Sequence, residues 1–566
     1  MKVVLKHAGK WLSFQNPQRV LLANRVDAVL PMLLEAEESG LYAAGFISYE
    51  AAPAFDPALK THSPGGFPLL CLGLFDAPLI LEKLEESPAG DFKVGDLRAS
   101  VTKREFSKAI SEIKEHIAAG ASYQVNYTYR LNAAFSGNPW PFFCHLVKDQ
   151  KAEYAAYVDT GEHTICSASP ELFFDFKDGS IVSRPMKGTS RRGRTFEEDL
   201  QLGEDLRHSE KERAENIMIV DMIRNDIGRV ARLGSVETTS RFDIEKYPTA
   251  WQMTSTVRGK SDADIAATLC ALFPCASITG APKVKTMEII RNLETSPRKI
   301  YTGSIGFITP QGGACFNVAI RTALIEKGRL EFGVGGGIVW DSEVEAEYEE
   351  TLTKAQVLSL YRPAFRLLET MLWEPRSGIF LMNEHLQRLG KSAAYFDMTL
   401  DIDAVLKCLV NLGDERLRVR LLVSRDGQIE VQTHPLKPEK GAVSTITAAI
   451  AKAPVDAEDI FLFHKTTHRD VYENAKAHFP EHGDVILWNK KGQVTEGCIG
   501  NVVIRKDGRL VTPPVDCGLL AGTFREHLLK NGDIEEGVFT VGELLNSNEV
   551  FLVNSVRRWQ KVIIEQ

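Results

Sequence analysis

The sequence lacks the patterns that mark several common classes of protein. It has nine cysteines in 566 residues but no Cys-x-x-Cys pair, which argues against a zinc site of the usual spacing and against a disulfide framework. No stretch approaches the ~18 consecutive apolar residues that a membrane span requires. Basic residues are not in excess, because the formal net charge is -8, and this balance disfavours nucleic acid as a partner.

Two nucleotide-binding signatures are also incomplete. The run GVGGGI has Gly333 and Gly335 but places Ile338 where the pattern G-x-G-x-x-G requires a third glycine. The segment that ends in GKSA has His385 where a P-loop requires glycine. An enzyme that binds a dinucleotide or ATP through these motifs is therefore disfavoured.

The beginning of the chain does not read as a secretion signal. Lys6, His7 and Lys10 interrupt the apolar run that a signal peptide needs. We therefore expect a cytoplasmic location, where thiols stay reduced. Hydrophobic residues make up 44% of the chain and charged residues 25%, as in globular proteins with sizeable cores.

The sequence predicts two domains. A helix predicted over EAEYEETLTKAQVLSLY ends before Pro363, and a new apolar run begins at Phe365. We place the boundary there, which gives domains of residues 1–362 and 363–566. Both contain strand-like runs joined by tight turns, such as DFKDGSIVS and RVRLLVSRDGQIEVQTH. These hairpin signals predict an α+β fold with largely antiparallel sheets.

Paired carboxylates occur in two predicted helices, at a spacing that puts both members of a pair on one helical face. The pairs are Glu212 with Glu215 and Glu347 with Glu350. Ser342, followed three residues later by Glu345, predicts a capping box at the start of the second helix. Two such pairs facing each other would form a site for Mg²⁺, which prefers oxygen ligands. The alternative is that these glutamates lie on helix faces exposed to solvent, and the pattern alone favours this alternative over a metal site.

Two further elements suit an anionic ligand. Gly280 precedes Pro282 and a predicted helix, whose amino-terminal N–H groups can bind a carboxylate or phosphate. Arg321 ends an apolar strand in FNVAIRTAL, and a guanidinium can bind a carboxylate through two hydrogen bonds. The alternative for Gly280 is a plain turn before a helix, and the alternative for Arg321 is a structural ion pair.

Seven segments within about residues 1–360 resemble, in order, the chorismate-utilising enzymes. That family includes anthranilate synthase component I, aminodeoxychorismate synthase component I and isochorismate synthases. The segments are SASPELFF, RPMKGTSRRG, KERAENIMIVDMIRNDIGRV, ASITGAPKVKTMEII, YTGSIGF, FNVAIRTA and GGGIVWDSEVEAEYEETLTKA. The resemblance implies an α/β sandwich with large antiparallel sheets. It implies that Mg²⁺ is held by Glu215 and Glu350, with Glu212 and Glu347 beside them. It also implies that chorismate is bound by Arg321, Tyr301, Thr279, Gly280, Gly335, Gly336 and Lys354.

Lys187, in RPMKGTSRRG, is the residue at which the resemblance separates two activities. The anthranilate branch usually carries alanine before Gly-Thr, whereas the aminodeoxychorismate branch carries lysine. A neutral lysine can attack C2 of chorismate as the C4 hydroxyl leaves, and ammonia can then enter at C4 and expel the lysine. Glu171, in SASPELFF, matches the family's acid/base glutamate, which would protonate the departing hydroxyl. Gln252 stands near the position of a histidine that many relatives carry and that is associated with pyruvate elimination. Without the family, Lys187 reads as a surface turn lysine.

The amination needs a source of ammonia. None of the cysteines lies in the G-x-C-x-G elbow of a class I glutamine amidotransferase, since Cys315 and Cys498 each lack one of the two glycines. We therefore expect a separate glutamine amidotransferase subunit to supply ammonia.

Lys465, in DIFLFHKTTHRDVYENAKA, is predicted to follow an apolar strand directly. A desolvated lysine there suits covalent bonding to a carbonyl coenzyme, and a strand-end lysine facing water is the alternative. Four segments over about residues 365–566 resemble the fold-type IV pyridoxal-phosphate enzymes. That group includes aminodeoxychorismate lyase, branched-chain aminotransferases and D-amino acid aminotransferases. The segments are HLQRLGKSAAYF, KTTHRDVYENA, GQVTEGCIGNVVI and TPPVDCGLLAGTFREHLL.

This second resemblance implies a two-subdomain α+β domain that binds pyridoxal 5'-phosphate (PLP). Lys465 would bond to the coenzyme and Glu496 would contact its pyridine nitrogen. The phosphate would be bound by Arg388, Gly522 and Thr523, with Asn501 nearby. The resemblance also allows a homodimer through this domain. In NSVRRWQ, Arg558 stands where relatives often have glycine.

Together the two halves predict consecutive reactions: amination of chorismate to 4-amino-4-deoxychorismate, then PLP-dependent release of pyruvate to give 4-aminobenzoate for folate synthesis. The motifs leave three alternatives open. The second half can be an amino-acid aminotransferase, the first an anthranilate synthase component I, or the whole chain a non-enzymatic sensor of chorismate or an amino acid.

Overall fold

The computed structural model describes residues 1–84, 92–148, 150, 152–358, 364–436 and 444–565. The chain forms two compact units, one of residues 1–192 and 202–361 and the other of residues 193–201 and 362–566. The boundary that we predict between residues 362 and 363 lies outside the described residues and stays a prediction. No described helix is both long enough and apolar enough to cross a membrane.

The first unit contains two large antiparallel sheets. One has eleven strands, in the order Gly280–Ala281, Gln124–Gly137, Arg329–Ile338, Thr322–Glu326, Thr164–Ser167, Ala156–Asp159, Lys2–His7, Lys10–Gln15 and Leu79–Leu81, with Phe92–Val94 and Arg98–Ala99 pairing beside Gln124–Gly137. The other has ten, in the order Met186–Arg191, Ala250–Lys260, Ser180–Arg184, Leu172–Lys177, Ala314–Val318, Ser304–Ile308, Tyr42–Ile47, Leu70–Phe75 and Arg19–Ala23, with Glu237–Lys246 pairing beside Ala250–Lys260.

These sheets pack face to face through an apolar layer, and helices cover their outer faces. Val3 and Phe14 of the eleven-stranded sheet meet Phe46 and Phe307 of the ten-stranded sheet in that layer. The helices are Val26–Glu38, Ala52–Phe55, Lys103–Ala118, Pro139–Lys148, Glu210–Gly228, Ile265–Leu272, Lys283–Leu293 and Val344–Ala355. The predicted α/β sandwich with large antiparallel sheets is confirmed.

The second unit is a mixed structure built on two smaller sheets. A four-stranded antiparallel sheet has the order Gly378–Ile379, Leu367–Glu374, Leu417–Val423 and Ile429–Pro435. An eight-stranded sheet has the order Val494–Gly497, Asp484–Trp488, Ser444–Ile450, Arg558–Ile564, Val550–Asn554, Asn501–Lys506, Arg509–Thr512 and Glu535–Glu536. The helices wholly within this unit are Met382–Phe396, Ile402–Cys408, Asp470–Ala477, Thr523–Asn531 and Val541–Leu545. A further helix, Phe196–His208, begins in residues 193–201 of this unit. Each sheet has its own apolar core, which gives the two-subdomain α+β arrangement expected from the sequence.

The predicted hairpins are present because their turns carry residues that accept a positive φ. Asp178 and Gly179 join Leu172–Lys177 to Ser180–Arg184 with φ of 50° and 70°, as a two-residue hairpin turn requires. The strands around Asp426-Gly427 also pair in antiparallel register. Arg558 has φ of 59°, a left-handed conformation that glycine adopts more readily.

Two local predictions are wrong. Ser342 does not form a capping box, because the helix Val344–Ala355 begins after Glu343 and has no side-chain cap. The hydroxyl of Ser342 instead donates to Glu347 Oε1 at 2.6 Å. Lys465 does not follow a strand either, because residues 460–462 form a 3₁₀ helix whose first turn is capped by the Asp459 carboxylate.

Residues 193–201 belong to the second unit, although they lie far from it in sequence. Phe196 packs against the apolar core of the four-stranded sheet. The Tyr395 hydroxyl donates to the Gly193 carbonyl at 2.7 Å, and Lys391 pairs with Glu197 at 2.6 Å. We call residues 193–201 the crossing segment. The second unit is therefore discontinuous in sequence.

We expect Phe196→Ala to destabilise the second unit by about 2 kcal/mol, because the half-buried ring leaves a gap against an apolar core. Leu200→Ala is the matched control, since Leu200 is 48% exposed in the same segment. The measurement is thermal unfolding of the full chain, followed by a probe in each unit. An unchanged transition in Phe196→Ala would show that the segment contributes nothing to this core.

Candidate active sites

A cleft with a volume of about 170 Å³ opens in the first unit. Its walls come from the strands Met186–Arg191 and Arg329–Ile338 and from the helices Glu210–Gly228 and Val344–Ala355. Most residues predicted for chorismate and Mg²⁺ line it: Lys187, Glu171, Arg321, Tyr301, Gly335, Gly336, Lys354, Glu212, Glu215, Glu347 and Glu350. The structure thus brings together residues that are up to 183 positions apart in sequence, from Glu171 to Lys354.

The four glutamates line this cleft from two helices. Burial, and then the neighbouring charge of Glu215, raise the pKa of Glu212. Burial also raises the pKa of Glu347, against the opposing hydrogen bond from Ser342. Lys354 lies 2.7 Å from Glu350 Oε1 and, as the largest cause, lowers the pKa of Glu350. The acidic charge is therefore concentrated and partly desolvated.

Lys187 extends into the cleft toward this acidic group. Its Nζ lies 3.3 Å from Glu215 Oε2, and its backbone carbonyl accepts a hydrogen bond from Asn216 on the same helix at 3.1 Å. A Cβ on Gly337 would come within 2.3 Å of Nζ, so the amine lies directly against the backbone at this glycine. The strand and the helix together fix the position of this amine.

Glu171 is a buried carboxyl in the same lining. Burial raises the pKa of Glu171 to about 7, and the hydrogen bond from Ser277 acts in the opposite direction. Ser277 Oγ donates to Glu171 Oε1 at 2.7 Å. A carboxyl with this pKa holds its proton in a useful fraction of molecules at neutral pH, as a general acid must.

We expect the alkaline limb of the amination rate, measured at constant free ammonia, to begin near pH 7, because Glu171 must be protonated to act as an acid. Ser277→Ala removes a bond that stabilises the carboxylate, so the pKa of Glu171 rises and the limb moves to higher pH. Glu171→Gln should be slower by roughly 10²–10⁴-fold and should lack the limb. If the alkaline limb does not move in Ser277→Ala and is still present in Glu171→Gln, it arises from the titration of another group.

The remaining predicted chorismate-binding residues divide into two groups. Arg321 lines the cleft with φ of 48°, and backbone strain of this kind often marks functional positions. Tyr301 is buried beside Gly333, where a Cβ would come within 2.1 Å of the ring. Thr279 and Gly280 are buried, and the cleft lining within the described residues reaches only Ser277 and Ile278. Gly280 instead makes a close approach to the Gln124 carbonyl, which a Cβ would meet at 2.0 Å.

In the second unit, Lys465 is a buried amine among charged groups. Burial lowers the pKa of Lys465 to about 7, and the positive charges of Arg388 and Arg469 act in the same direction. Glu369 and Glu496 oppose this shift. Such an amine is substantially neutral at neutral pH and can act as a nucleophile.

Glu496, whose charge acts on Lys465, is a second buried group at this site. Burial raises the pKa of Glu496 to about 7. Its Oε1 accepts hydrogen bonds from the Tyr472 hydroxyl at 2.7 Å and the Leu520 backbone N–H at 3.1 Å. Asn501 donates to Glu496 Oε2 at 3.4 Å and to the Leu520 carbonyl at 2.8 Å. Glu496 and Asn501 are thus tied to the loop before the helix Thr523–Asn531.

Arg388 and Thr523 meet at the start of that helix. Arg388 donates to both carboxylate oxygens of Glu369, at 2.9 and 2.6 Å, and to the Ala521 carbonyl at 3.1 Å. His385 Nδ1 contacts Glu369 at 2.7 Å, and its Nε2 lies 3.4 Å from Thr523 Oγ1. Gly522 precedes the helix, and a Cβ there would meet Asn501 Oδ1 at 2.1 Å. The predicted phosphate residues therefore surround one helix amino terminus, which suits an anion.

Comparison with known proteins assigns a family. Residues 12–359 match the model of the chorismate binding enzymes. The chain belongs to that family. Residues 366–563 match the model of class IV amino-transferases, so the carboxy-terminal part of this chorismate binding enzyme is a second, fused domain.

Several curated proteins are similar to this chorismate binding enzyme. Anthranilate synthase component 1 of Aquifex aeolicus is 41% identical over 280 residues, which cover 49% of this chain and 56% of that protein. Aminodeoxychorismate synthase component 1 of Klebsiella aerogenes is 41% identical over 259 residues, which cover 45% of this chain and 57% of that protein. The chain thus spans just over half the length of these relatives. The crystal structure of anthranilate synthase component I from Streptococcus pneumoniae shares the fold, with a TM-score of 0.55, 24% identity and coverage of 64% of this chain and 92% of that one.

The donor set of the cleft fits Mg²⁺ in its chemistry. Carboxylates from two facing helices supply oxygen ligands and excess negative charge. Among the described residues, however, these glutamates do not bring three oxygens within 4.8 Å of one another, since Glu215 and Glu350 each pair with a lysine. Mg²⁺ bound here would replace Lys187 as the partner of Glu215 and Lys354 as the partner of Glu350.

The second site fits PLP. A desolvated amine, a buried carboxylate and a helix amino terminus are the three features that bind its aldehyde, its pyridine nitrogen and its phosphate. Class IV membership supports the same coenzyme. Arg388 reaches this site with its guanidinium already paired to Glu369, so it would contact an anion through its remaining N–H groups.

The sequence analysis missed residues that position the functional groups. Ser277 holds Glu171, Tyr472 holds Glu496, and Glu369 with His385 holds Arg388. One signal was available, because Glu369 interrupts the apolar run LLETMLW at a position that a buried strand would give to an apolar residue. The other three carry no pattern that separates them from ordinary polar residues.

Proposed function

We propose that the chain makes 4-aminobenzoate from chorismate in two steps, for folate synthesis. The first unit replaces the C4 hydroxyl of chorismate by an amino group, giving 4-amino-4-deoxychorismate and water. The second unit removes pyruvate from that amine and leaves the aromatic product. The observation that carries the proposal is the amine of Lys187 inside the cleft, 3.3 Å from Glu215 and in one lining with Glu171.

In the first step Lys187 Nζ, as the neutral amine, bonds to C2 of chorismate while the C4–O bond breaks. Glu171 donates its proton to the departing oxygen, which leaves as water. Ammonia then bonds to C4, the C2–N bond breaks, and the lysine is restored. One proton released from the incoming nitrogen returns to Glu171. Arg321 and Lys354 supply positive charge for the substrate carboxylates, and Mg²⁺ held by the four glutamates adds to it.

In the second step Lys465 moves a proton. Bound PLP supplies the electron sink. Lys465 Nζ removes the proton at C4 of the amine, and the C3–O bond breaks as the ring becomes aromatic. The departing enolpyruvate takes up the proton held by Lys465 and becomes pyruvate, which restores the neutral amine. Glu496 would contact the pyridine nitrogen and favour its protonated form, and Tyr472 with the Leu520 N–H keeps that carboxylate in place. Arg388, Gly522, Thr523 and Asn501 would hold the phosphate end.

Ammonia comes from a separate glutamine amidotransferase subunit in this proposal. The relatives named component 1 support a division of labour between two components. The proposal places the reactions in the cytoplasm and allows a homodimer through the second unit.

Two alternatives have specific support. Anthranilate synthase component 1 of Aquifex aeolicus is as similar as the aminodeoxychorismate synthases, at 41% identity. Lys187 and Gln252 favour amination without pyruvate loss in the first unit, and Gln252 lines the cleft, where its Oε1 accepts from Thr189 at 3.2 Å. The class IV match would also suit an amino-acid aminotransferase as the second unit.

The deciding experiment is incubation of the purified chain with chorismate and an ammonium salt, with and without Mg²⁺ and PLP. We expect 4-aminobenzoate only when both are present, and 4-amino-4-deoxychorismate when PLP is removed. Anthranilate as the product would favour the first alternative. Amino-acid-dependent transamination without 4-aminobenzoate would favour the second.

A further inference from the structure

Three metal-ligating side chains meet in the first unit, away from the glutamate cleft. One ligand atom each from His7, Asp175 and Cys315 lies within 4.8 Å of the other two. None of the three lines the cleft, and none takes part in the proposed reactions. They form the one group of three or more His, Cys, Asp or Glu residues with this spacing in the part of the chain that the structure describes.

The backbone fixes these residues on three strands. Asp175 and Cys315 are directly opposite each other on neighbouring strands of the ten-stranded sheet. His7 ends a strand of the eleven-stranded sheet and is held by a tight hairpin, in which Ala8 and Gly9 have φ of 48° and 78°. Its ring packs edge-on against Phe307, with centroids 5.3 Å apart. The group is therefore organised by two sheets rather than by a mobile loop.

The three side chains differ in burial, and Cys315 is the most deeply buried of them. Cys315 is 7% exposed and belongs to the apolar layer between the sheets. His7 and Asp175 are half-buried, so solvent reaches the outer side. The group therefore has a buried side, at Cys315, and a side that is open to water.

We propose that His7, Asp175 and Cys315 bind a divalent ion of the Zn²⁺ class, with water in the fourth position. Sulfur, imidazole and a single carboxylate match Zn²⁺, whereas Mg²⁺ prefers an all-oxygen set such as the glutamate cleft. Tetrahedral Zn²⁺ with bonds of ~2.0–2.3 Å places its ligand atoms roughly 3.3–3.7 Å apart, so the distances between the three ligand atoms, which are within 4.8 Å, need to shorten by roughly 1.5 Å at most. As the metal–sulfur bond forms, the thiol proton passes to solvent.

This ion connects the two sheets of the sandwich. His7 comes from the eleven-stranded sheet, and Asp175 and Cys315 come from the ten-stranded sheet. Binding to the folded state alone raises stability by mass action. Because the three residues lie outside the cleft, occupancy of this site should change the melting temperature of the first unit rather than the chemistry in the cleft.

The test uses the full chain, stripped with a chelator and titrated with Zn²⁺ or Co²⁺ in excess Mg²⁺, which occupies the glutamates. We expect one tight equivalent, a thiolate-to-cobalt absorption band, and a rise of several degrees in the melting temperature. Cys315→Ser should lose the band. His7→Asn, a half-buried change that leaves the core intact, should weaken Zn²⁺ binding by roughly tenfold or more.

Cys71→Ser is the matched control, because Cys71 is a buried cysteine in the same apolar layer but outside the group. It should keep both the cobalt band and the Zn²⁺ affinity. Absence of tight Zn²⁺ binding in the unmodified chain would overturn the proposal. Binding that survives both His7→Asn and Cys315→Ser but is lost in Glu215→Gln would place the ion in the cleft and would overturn it as well.

Discussion

Replacing Lys187 with alanine should reduce amination of chorismate by on the order of 10³-fold or more, because the variant has no amine to form the covalent intermediate. The fold should survive, since only the side chain beyond Cβ is lost at a position that faces the cleft. Elimination of pyruvate from supplied 4-amino-4-deoxychorismate should continue at the normal rate, because that reaction belongs to the second unit. The measurement is product formation from each substrate in turn.

A direct observation of the intermediate makes this prediction sharper. When chorismate is supplied without ammonia, the proposed mechanism stops with the substrate bonded to Lys187. Intact-protein mass spectrometry should then show a mass increase equal to chorismate minus water, and peptide mapping should assign it to the strand Met186–Arg191. Lys187→Ala should show no increase. Lys177→Ala, which removes an exposed lysine from another strand of the same sheet, should behave like the unmodified chain.

Lys187→Arg separates the nucleophile from the charge. Arginine keeps a cation near Glu215, but its guanidinium stays protonated and is a poor nucleophile. We expect its amination rate to be as low as that of Lys187→Ala. Normal amination in either variant would rule out the covalent route and would leave Lys187 as a charge partner of Glu215.

Much of the fold follows from patterns that act over short distances. The Asp178–Gly179 hairpin and the helix Glu210–Gly228 follow from turn chemistry and local pattern, so the sequence predicts them well. The two wrong predictions have the same cause. Ser342 and the residues before Lys465 carry local signals that allow more than one structure, and contacts with Glu347 and Asp459 decide between them.

The residues of the candidate sites also differ in whether the sequence predicts them. Motif order predicts Lys187, Glu171 and Lys465 as the functional groups, because the proposed chemistry constrains the residue type at these positions. The partners that set the proton affinities of these groups do not follow from the sequence, because Ser277 lies 106 residues from Glu171 and Glu369 lies 96 residues from Lys465. The crossing segment is the clearest case. Nothing in GRTFEEDLQ indicates that these residues complete the core of the other unit.

Replacing Lys465 with alanine should stop 4-aminobenzoate formation and leave amination intact, so that 4-amino-4-deoxychorismate accumulates. The variant loses the amine that both bonds the coenzyme and moves the C4 proton. The visible absorbance of bound PLP, and its abolition by borohydride, should also be lost. Lys491→Ala, which removes an exposed lysine from the same unit, is the matched control and should retain product formation and absorbance.

The pH dependence of coenzyme binding tests the physical cause. Because burial, assisted by Arg388 and Arg469, lowers the pKa of Lys465 to about 7, the neutral amine predominates above that pH and is lost below it. The rate at which the apoprotein bonds PLP should therefore fall about tenfold per pH unit below 7. Arg469→Ala removes one positive charge, so it should raise the pKa of Lys465 and move this limb to higher pH. A limb that does not move would assign the titration to another group, and undiminished 4-aminobenzoate output from Lys465→Ala would contradict the assignment of the second site.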